Sequence, residues 1–427
     1  MRYHISPSVL QGSITIPSSK SHTLRAILFA SLAKGKSVIH QALPSPDTQA
    51  MIQACRLLGA DITANEQCLT IIGINGKPRT PDNIIDAGNS GQVCRFVAAV
   101  ASLSPGYTVI TGDASVRHSR PVQPLLDGLS GLGVLAVSTQ GNGSAPIIVK
   151  GPLQGGVTTL NGEDSQPVSG LLMASAFAKE KTIINVTNPG EKPWVDVTLH
   201  WFTRLGIEYQ RQDYTQYTLP GNARIEGFEY TVPGDFSSCA FPLVAALITH
   251  SEITLHNIDM HDIQGDKALI FALQNMGAII EINEAKKTLC VKKSTHFTGK
   301  TIDVNQYIDA VPILAVMGCT ARGETVITGA AIARKKESDR LFSITQGLQK
   351  MGAQIIEQPD GLVLQPTTLK GAHVSSYHDH RIAMALSVAA LIAQGETVIE
   401  NTACVDKSYP GFVETLQALG ASIEVYP

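Results

Sequence analysis

Leu341-Phe342-Ser343-Ile344-Thr345-Gln346-Gly347-Leu348-Gln349-Lys350-Met351-Gly352-Ala353-Gln354-Ile355-Ile356 holds two elements and the junction between them. Leu341 to Met351 is amphipathic at helical spacing, and Gly352 follows its last apolar residue, where a helix ends on a left-handed glycine. Gln354-Ile355-Ile356 then reads as a strand. The junction recurs as Leu58-Gly59-Ala60, Leu132-Gly133, Leu205-Gly206, Met276-Gly277-Ala278 and Leu419-Gly420-Ala421. These glycines return roughly every 70 residues, the period of a repeat built from large units.

A second signature keeps the same register. Strand-like runs begin at Ser37-Val38-Ile39, Thr108-Val109-Ile110, Thr182-Ile183-Ile184, Ile253-Thr254-Leu255, Thr325-Val326-Ile327 and Thr397-Val398-Ile399. Turns such as Arg322-Gly323-Glu324 and Gln394-Gly395-Glu396 precede them. Before each turn lies an apolar, small-residue segment with no polar face, which predicts a buried helix. The unit is therefore buried helix, strand, amphipathic helix, then strand or strands. The expected fold is α/β (α+β), two domains of three units each, with buried helices running parallel and sheets outside them. Turn chemistry at Thr231-Val232-Pro233-Gly234-Asp235 places the middle boundary there.

The openings of the buried helices carry the chemistry. Pro17-Ser18-Ser19-Lys20-Ser21-His22-Thr23-Leu24-Arg25 runs from a strand-like stretch into an apolar one. Pro17 stops the strand and Ser18 or Ser19 caps the helix, so Lys20 and Ser21 fall in its first turn. Free N–H groups and the positive end of the helix make that turn an anion site, to which Lys20 and Arg25 add charge. The other openings are Asn89-Ser90-Gly91, Asp164-Ser165-Gln166, Asp235-Phe236-Ser237-Ser238, Asp309 and His378-Asp379-His380-Arg381. Capping explains their Ser, Asn and Asp; it does not explain Lys20, Arg95, Gln166, His380 or Arg381. Parallel helices would gather those cations at one end of each domain, suited to phosphates and carboxylates.

Composition excludes other classes. The 427 residues are 44% hydrophobic, 16% charged and 5% aromatic, with a formal net charge of −3. That describes a soluble protein with small-residue packing and no electrostatic case for nucleic acid or an acidic membrane. Seven scattered cysteines form no CxxC pair or metal-spaced cluster, which fits a reducing compartment. With no signal-peptide core or span-length apolar run, the expected location is cytoplasmic. Gly141-Asn142-Gly143 and Lys34-Gly35-Lys36-Ser37 lack the further glycines of nucleotide-binding loops and read as turns.

Taken in order, these motifs resemble the EPSP synthase (3-phosphoshikimate 1-carboxyvinyltransferase) family of enolpyruvyl transferases over nearly the whole chain. Besides those quoted, the matches are Arg120-Pro121, Lys192-Pro193, Gln264-Gly265-Asp266, Lys336-Glu337-Ser338-Asp339-Arg340 and Lys407-Ser408-Tyr409-Pro410. The resemblance implies a two-domain inside-out α/β barrel of βαβαββ repeats. Residues 14–233 would form one domain and residues 1–13 with 234–427 the other, with the active site in the interdomain cleft. It implies transfer of the enolpyruvyl group of phosphoenolpyruvate to the 5-hydroxyl of shikimate 3-phosphate, on the shikimate route to chorismate and aromatic amino acids. Lys20, Ser21, Arg25, Ser165, Gln166, Asp309 and Lys336 match the family's shikimate 3-phosphate contacts. Lys20, Gly91, Arg120, Gln166, Arg340, Arg381 and Lys407 match its phosphoenolpyruvate contacts. Asp309 matches the proton acceptor and Glu337 the proton donor, with Lys20 a third catalytic position. No metal or organic cofactor is implied, and a monomer acting on small molecules is expected.

Read from sequence alone, Lys336 and Arg340 share one helix face, and Glu337 would ordinarily be a solvated helix start. Arg117 reads as a surface residue and His378 as a loop residue. Five positions depart from the family pattern: Gln92, Asp164, Glu191, Trp194 and Ile332. Asp164 and Glu191 put acids near a phosphate site, and Lys192 is the nearest cation in sequence to offset them. Two other readings stand beside this one. The transferase acting on UDP-N-acetylglucosamine usually has Lys-Asn at the first motif and a Cys before Arg-Pro, where this chain has Lys20-Ser21 and Ser115-Val116-Arg117-His118-Ser119. A catalytically silent six-repeat anion-binding protein would be favoured by loss of Asp309, Glu337 or Lys407, and all three are present.

Overall fold

A computed structural model describes residues 1–65 and 68–427. The chain divides into two compact units, residues 18–232 and residues 1–17 with 233–427. It opens with strands β1 (Arg2–Ser6) and β2 (Gln11–Thr15), both of which pair with strands far along the chain. The first repeat of the 18–232 unit holds α1 (Lys20–Leu32), β3 (Lys34–His40), α2 (Pro46–Leu57), β4 (Asp61–Ala64) and β5 (Cys68–Ile74). The second holds β6 (Ile85–Asp86), α3 (Gly91–Ala101), β7 (Tyr107–Thr111), α4 (Ala114–His118), α5 (Gln123–Gly131), β8 (Leu135–Ser138) and β9 (Ile147–Lys150). The third holds β10 (Gly156–Asn161), α6 (Ser165–Ala176), β11 (Thr182–Thr187), α7 (Lys192–Leu205), β12 (Gln210–Gln212) and β13 (Gln216–Leu219), and β14 (Glu229–Thr231) follows.

The other unit repeats the plan. Its elements are α8 (Phe236–Ile248), β15 (Glu252–His256), α9 (Ala268–Asn275), β16 (Ile280–Asn283) and β17 (Thr288–Val291), then β18 (Thr301–Asp303), α10 (Val311–Thr320), β19 (Thr325–Thr328), α11 (Arg340–Lys350), β20 (Gln354–Gln358) and β21 (Gly361–Gln365). Last come β22 (His373–Ser375), α12 (His380–Ala390), β23 (Thr397–Glu400), α13 (Phe412–Ala418) and β24 (Ser422–Tyr426). Among the described residues the result is six four-stranded sheets of one topology: β14-β3-β5-β4, β6-β7-β9-β8, β10-β11-β13-β12, β2-β15-β17-β16, β18-β19-β21-β20 and β22-β23-β1-β24. In each, the first pair is parallel and the other two are antiparallel. Each unit borrows strands to close its cycle. β14 opens the first repeat from behind it, β2 opens the fourth, and β1 completes the sixth.

The expected helix ends are present. Gly59, Gly133, Gly206, Gly277, Gly352 and Gly420 all have positive φ, from +68° to +114°. The buried helices are α1, α3, α6, α8, α10 and α12; every residue of α8 is buried. Their packing is close because it is small: a Cβ on Gly170 of α6 would lie 3.2 Å from the Arg95 carbonyl of α3. Two expectations need correcting. Lys34-Gly35-Lys36-Ser37 is not a turn; it starts β3, because its backbone pairs with Ile71 to Ile74 of β5. Lys336 and Arg340 do not share a helix face: α11 begins at Arg340 with Asp339 as its cap, and Lys336 ends a 3₁₀ turn, Ala331–Lys335.

A second set of glycines stands just before the first strand of four sheets, against the start of the parallel strand beside it. Gly155, Gly227, Gly299 and Gly371 recur at a constant step, and a Cβ on each would lie 2.0 to 2.5 Å from a carbonyl oxygen, that of Glu180, Lys36, Glu324 and Glu396 in turn. Gly299→Ala should therefore force the backbone apart and cost about 1–3 kcal/mol or more. Gly352→Ala, left-handed but in open space, should cost only about 1 kcal/mol. Urea denaturation of both variants gives the order, and equal losses would contradict the close-approach constraint.

Candidate active site

Among the described residues, five of the six buried helices are capped by a side chain at their first turn. Ser19 accepts from His22 N on α1, Ser90 from Val93 N on α3, Asp164 from Gln166 N on α6, Asp235 from Ser238 N on α8 and Asp379 from Arg381 N on α12. The sixth is different. Asp309 does not open α10 as a cap; it lies in a 3₁₀ turn, Ile308–Ala310, ahead of it, and Pro312 stands at the helix start. Its carboxylate is left for other partners.

Those partners are guanidinium groups. Asp309 Oδ1 lies 2.7 Å from Arg340 Nη1, and Oδ2 lies 2.9 Å from Arg381 Nη2. Arg340, only 1% exposed, also meets Glu337 Oε2 at 2.8 Å and Asp379 Oδ2 at 2.8 Å. Burial alone would weaken its charge, but Asp379, Glu337 and Asp309 together hold it firmly protonated. The other Glu337 oxygen lies 2.7 Å from Lys407 Nζ. Glu337 is thus a link between Arg340 and Lys407 in a charge chain rather than a solvated helix start. Arg381 keeps a buried Nε–H with no acceptor among the described residues. Lys336 is half-buried and near enough to Asp309 for its charge to act there.

Burial pushes the Asp309 carboxyl up, but Arg381, Arg340 and Lys336 outweigh it and hold it down at about 2. Asp266 goes the other way. Burial first, then the charge of Asp309, pushes its carboxyl up to about 8, while Ser237 Oγ donates to one of its oxygens. Gln264, close by in sequence, fixes the start of α8. Its Oε1 accepts from Phe236 N at 3.1 Å and its Nε2 donates to Gly234 O at 2.9 Å.

The 18–232 unit gathers its own set. Lys20 Nζ lies 3.5 Å from Asp47 Oδ2, and the same oxygen accepts from Ser90 Oγ at 2.9 Å, joining the starts of α1 and α3. Arg95 donates to Gln166 Oε1 at 2.8 Å and to Pro121 O at 2.7 Å, joining α3 to α6. Arg120 Nη2 donates to Asn89 Oδ1 at 3.2 Å. Gly91 is what lets these cations crowd the turn: a Cβ there would lie 2.7 Å from Arg95 Nη1 and 2.9 Å from Arg120 Nη1. Arg25 is buried among neutral oxygens, those of Thr198, Ser21 and Trp194, and burial lowers its pKa to about 9.

The acids Asp164 and Glu191 are met differently from expectation. Asp164 Oδ2 lies 3.3 Å from Arg95 Nη2, and Glu191 Oε2 accepts from both Ser165 N and Ser165 Oγ. Lys192 holds its ammonium 5.3 Å from the centre of the Tyr214 ring. Arg117 donates to Gly112 O at 2.6 Å, and His378 sits in a loop at φ +57°. Sequence reasoning missed Asp47, whose place in the first turn of α2 looks like any helix opening. It also passed over Asp379 as a binding partner, although the motif around it was visible.

A family model described as EPSP synthase (3-phosphoshikimate 1-carboxyvinyltransferase) matches residues 5–416. Proteins named 3-phosphoshikimate 1-carboxyvinyltransferase are similar to the chain throughout. The one from Ruminiclostridium cellulolyticum is 41% identical over 421 residues, covering 99% of each chain. That from Chlamydia pneumoniae is 44% identical over 426 residues, covering 99% of this chain and 95% of its own. Among solved structures, an EPSP synthase from Acinetobacter baumannii superposes with a TM-score of 0.84 at 29% identity, covering all of both chains. The chain belongs to the EPSP synthase (3-phosphoshikimate 1-carboxyvinyltransferase) family.

Proposed function

We propose that this enzyme transfers the enolpyruvyl group of phosphoenolpyruvate to the 5-hydroxyl of shikimate 3-phosphate, releasing phosphate and 5-enolpyruvylshikimate 3-phosphate. The observation that carries the reading is the charge chain Arg381–Asp309–Arg340–Glu337–Lys407, in which two carboxylates alternate with three cations. Addition to the enol double bond needs a base for the hydroxyl proton, an acid for the enol carbon, and cations for carboxylate and phosphate. The chain supplies each kind. Asp309 is the proton acceptor and Glu337 the proton donor in this reading. Arg340, Arg381 and Lys407, with Lys20, Gly91, Arg120 and Gln166, hold phosphoenolpyruvate. Lys20, Ser21, Arg25, Ser165, Gln166, Asp309 and Lys336 hold shikimate 3-phosphate.

The pairing also explains timing. Alone, Asp309 is a poor base because two guanidinium groups favour its ionised form. Substrate anions that draw on Arg340 and Arg381 weaken that hold and raise its proton affinity as the hydroxyl arrives. Glu337 is placed likewise: anions that engage Arg340 and Lys407 let it carry a proton. No helix among the described residues is long and apolar enough to cross a membrane; cytoplasmic location and a monomeric state are part of this proposal.

Asp309→Ala and Glu337→Ala should each lower kcat by about 10²–10⁴-fold. The KM for phosphoenolpyruvate should hold or fall, because each change frees cations that the lost carboxylate had occupied. Steady-state phosphate release measures both constants, and wild-type turnover in either variant removes that residue from its role.

Asp266 generates a pH prediction. Its folded-state pKa lies above the ordinary carboxyl value, so the fold keeps a proton that the unfolded chain has lost. Stability from this group is full at acid pH and declines as pH rises from about 4 to about 8. Asp266→Asn removes that decline. Its melting temperature should gain on wild type steadily across the window and level off above it. Parallel melting curves from pH 4 to 9 would contradict the raised value.

A further inference from the structure

Glu191 is held in an unusual way. It precedes α7 with its backbone at φ +43°, in the left-handed region that a side chain disfavours, and it is 2% exposed. Gly190 before it has no room for a Cβ, which would lie 2.5 Å from the Glu163 carbonyl oxygen. The segment is thus pressed against the opening of α6. There the Glu191 carboxylate does what a bound anion would do. Its Oε2 accepts from Ser165 N at 3.1 Å and from Ser165 Oγ at 3.2 Å, taking the first backbone N–H and the first hydroxyl of the helix. Asp164 takes the next N–H, that of Gln166, at 2.9 Å, and engages Arg95. The opening of α6 therefore carries two carboxylates, and one comes from outside the helix.

A strained backbone that buries an acid on a helix start calls for a functional explanation. Resting on the reading above, in which Ser165 binds shikimate 3-phosphate, we infer that Glu191 is a built-in competitor for the acceptor's phosphate and thereby sets acceptor selectivity. A phosphate dianion at Ser165 has to displace the Glu191 carboxylate from both donors, because like charges cannot share them at hydrogen-bond distance. An acceptor without the phosphate meets no such competition and leaves Glu191 in place. The residue narrows the preference for phosphorylated over unphosphorylated acceptor without touching the reacting atoms.

Calorimetric binding of shikimate 3-phosphate and of shikimate to wild type, Glu191→Ser and Glu191→Gln tests this. Shikimate 3-phosphate should bind about tenfold tighter or better to Glu191→Ser, with a smaller gain for Glu191→Gln, which keeps the shape and removes the charge. Shikimate should change by less than about twofold. A gain shared equally by both acceptors, or no gain for the phosphate in either variant, overturns the inference. Glu191→Gln decides alone if the serine variant does not fold. A wild-type enzyme that does not turn over shikimate 3-phosphate overturns the functional reading and this one with it. A wild type that does, with variants that bind it no tighter, overturns only the role of Glu191.

Discussion

Arg340 is a guanidinium with almost no access to water, and a buried charge of that kind is tolerable only among opposite charges. The protein surrounds it with Asp309, Glu337 and Asp379. Each of those acids then answers to something else. Asp379 caps α12 and accepts from Ser338, Asp309 shares Arg381, and Glu337 shares Lys407. The start of α12, the 3₁₀ turn before α10 and the loop before α11 are tied to one side chain. Removing Arg340 would take a shared cation from three acids at once, whereas removing one acid leaves two. The chemistry proposed here needs carboxylates whose proton affinity responds to arriving anions, and a shared cation provides that response.

The repeat architecture makes such a knot possible. Six helices open with the same local problem, unsatisfied N–H groups at a buried end. Five solve it with a Ser or Asp cap. At α10 the 3₁₀ turn and Pro312 replace the cap, and Asp309 ahead of the helix pairs with Arg340 and Arg381 instead. The 18–232 unit bends the same rule at α6, where Asp164 caps the helix and Glu191 adds a second carboxylate. These repeats therefore differ in how a helix start is satisfied.

Much of this was legible. The helix-ending glycines, the strands after them and the buried helices are local patterns, and local patterns survive in sequence. Closure of each unit was not, because it depends on pairing over long distances. Nothing within Arg2–Ser6 tells that it lies between β23 and β24. Lys34-Gly35-Lys36-Ser37 has the composition of a turn, and only its pairing with β5 makes it a strand. Lys192 is adjacent to Glu191 in sequence, yet the turn into α7 sends it to Tyr214. The motifs pointed to Asp266 and Asp309, but not to their electrostatics: that the two titrate in opposite directions follows from burial and from which guanidinium groups each can reach.

The central claim is that Arg340 and Arg381 set the proton affinity of Asp309 and release it to substrate anions. Carboxyl ¹³C NMR of aspartate-labelled enzyme, with Asp309 assigned through Asp309→Asn, measures this directly. The account requires Asp309 to titrate at about 2 in the free enzyme and to move up by about one unit or more with saturating phosphoenolpyruvate. An Asp309 carboxyl that titrates at the same pH with and without phosphoenolpyruvate would contradict it.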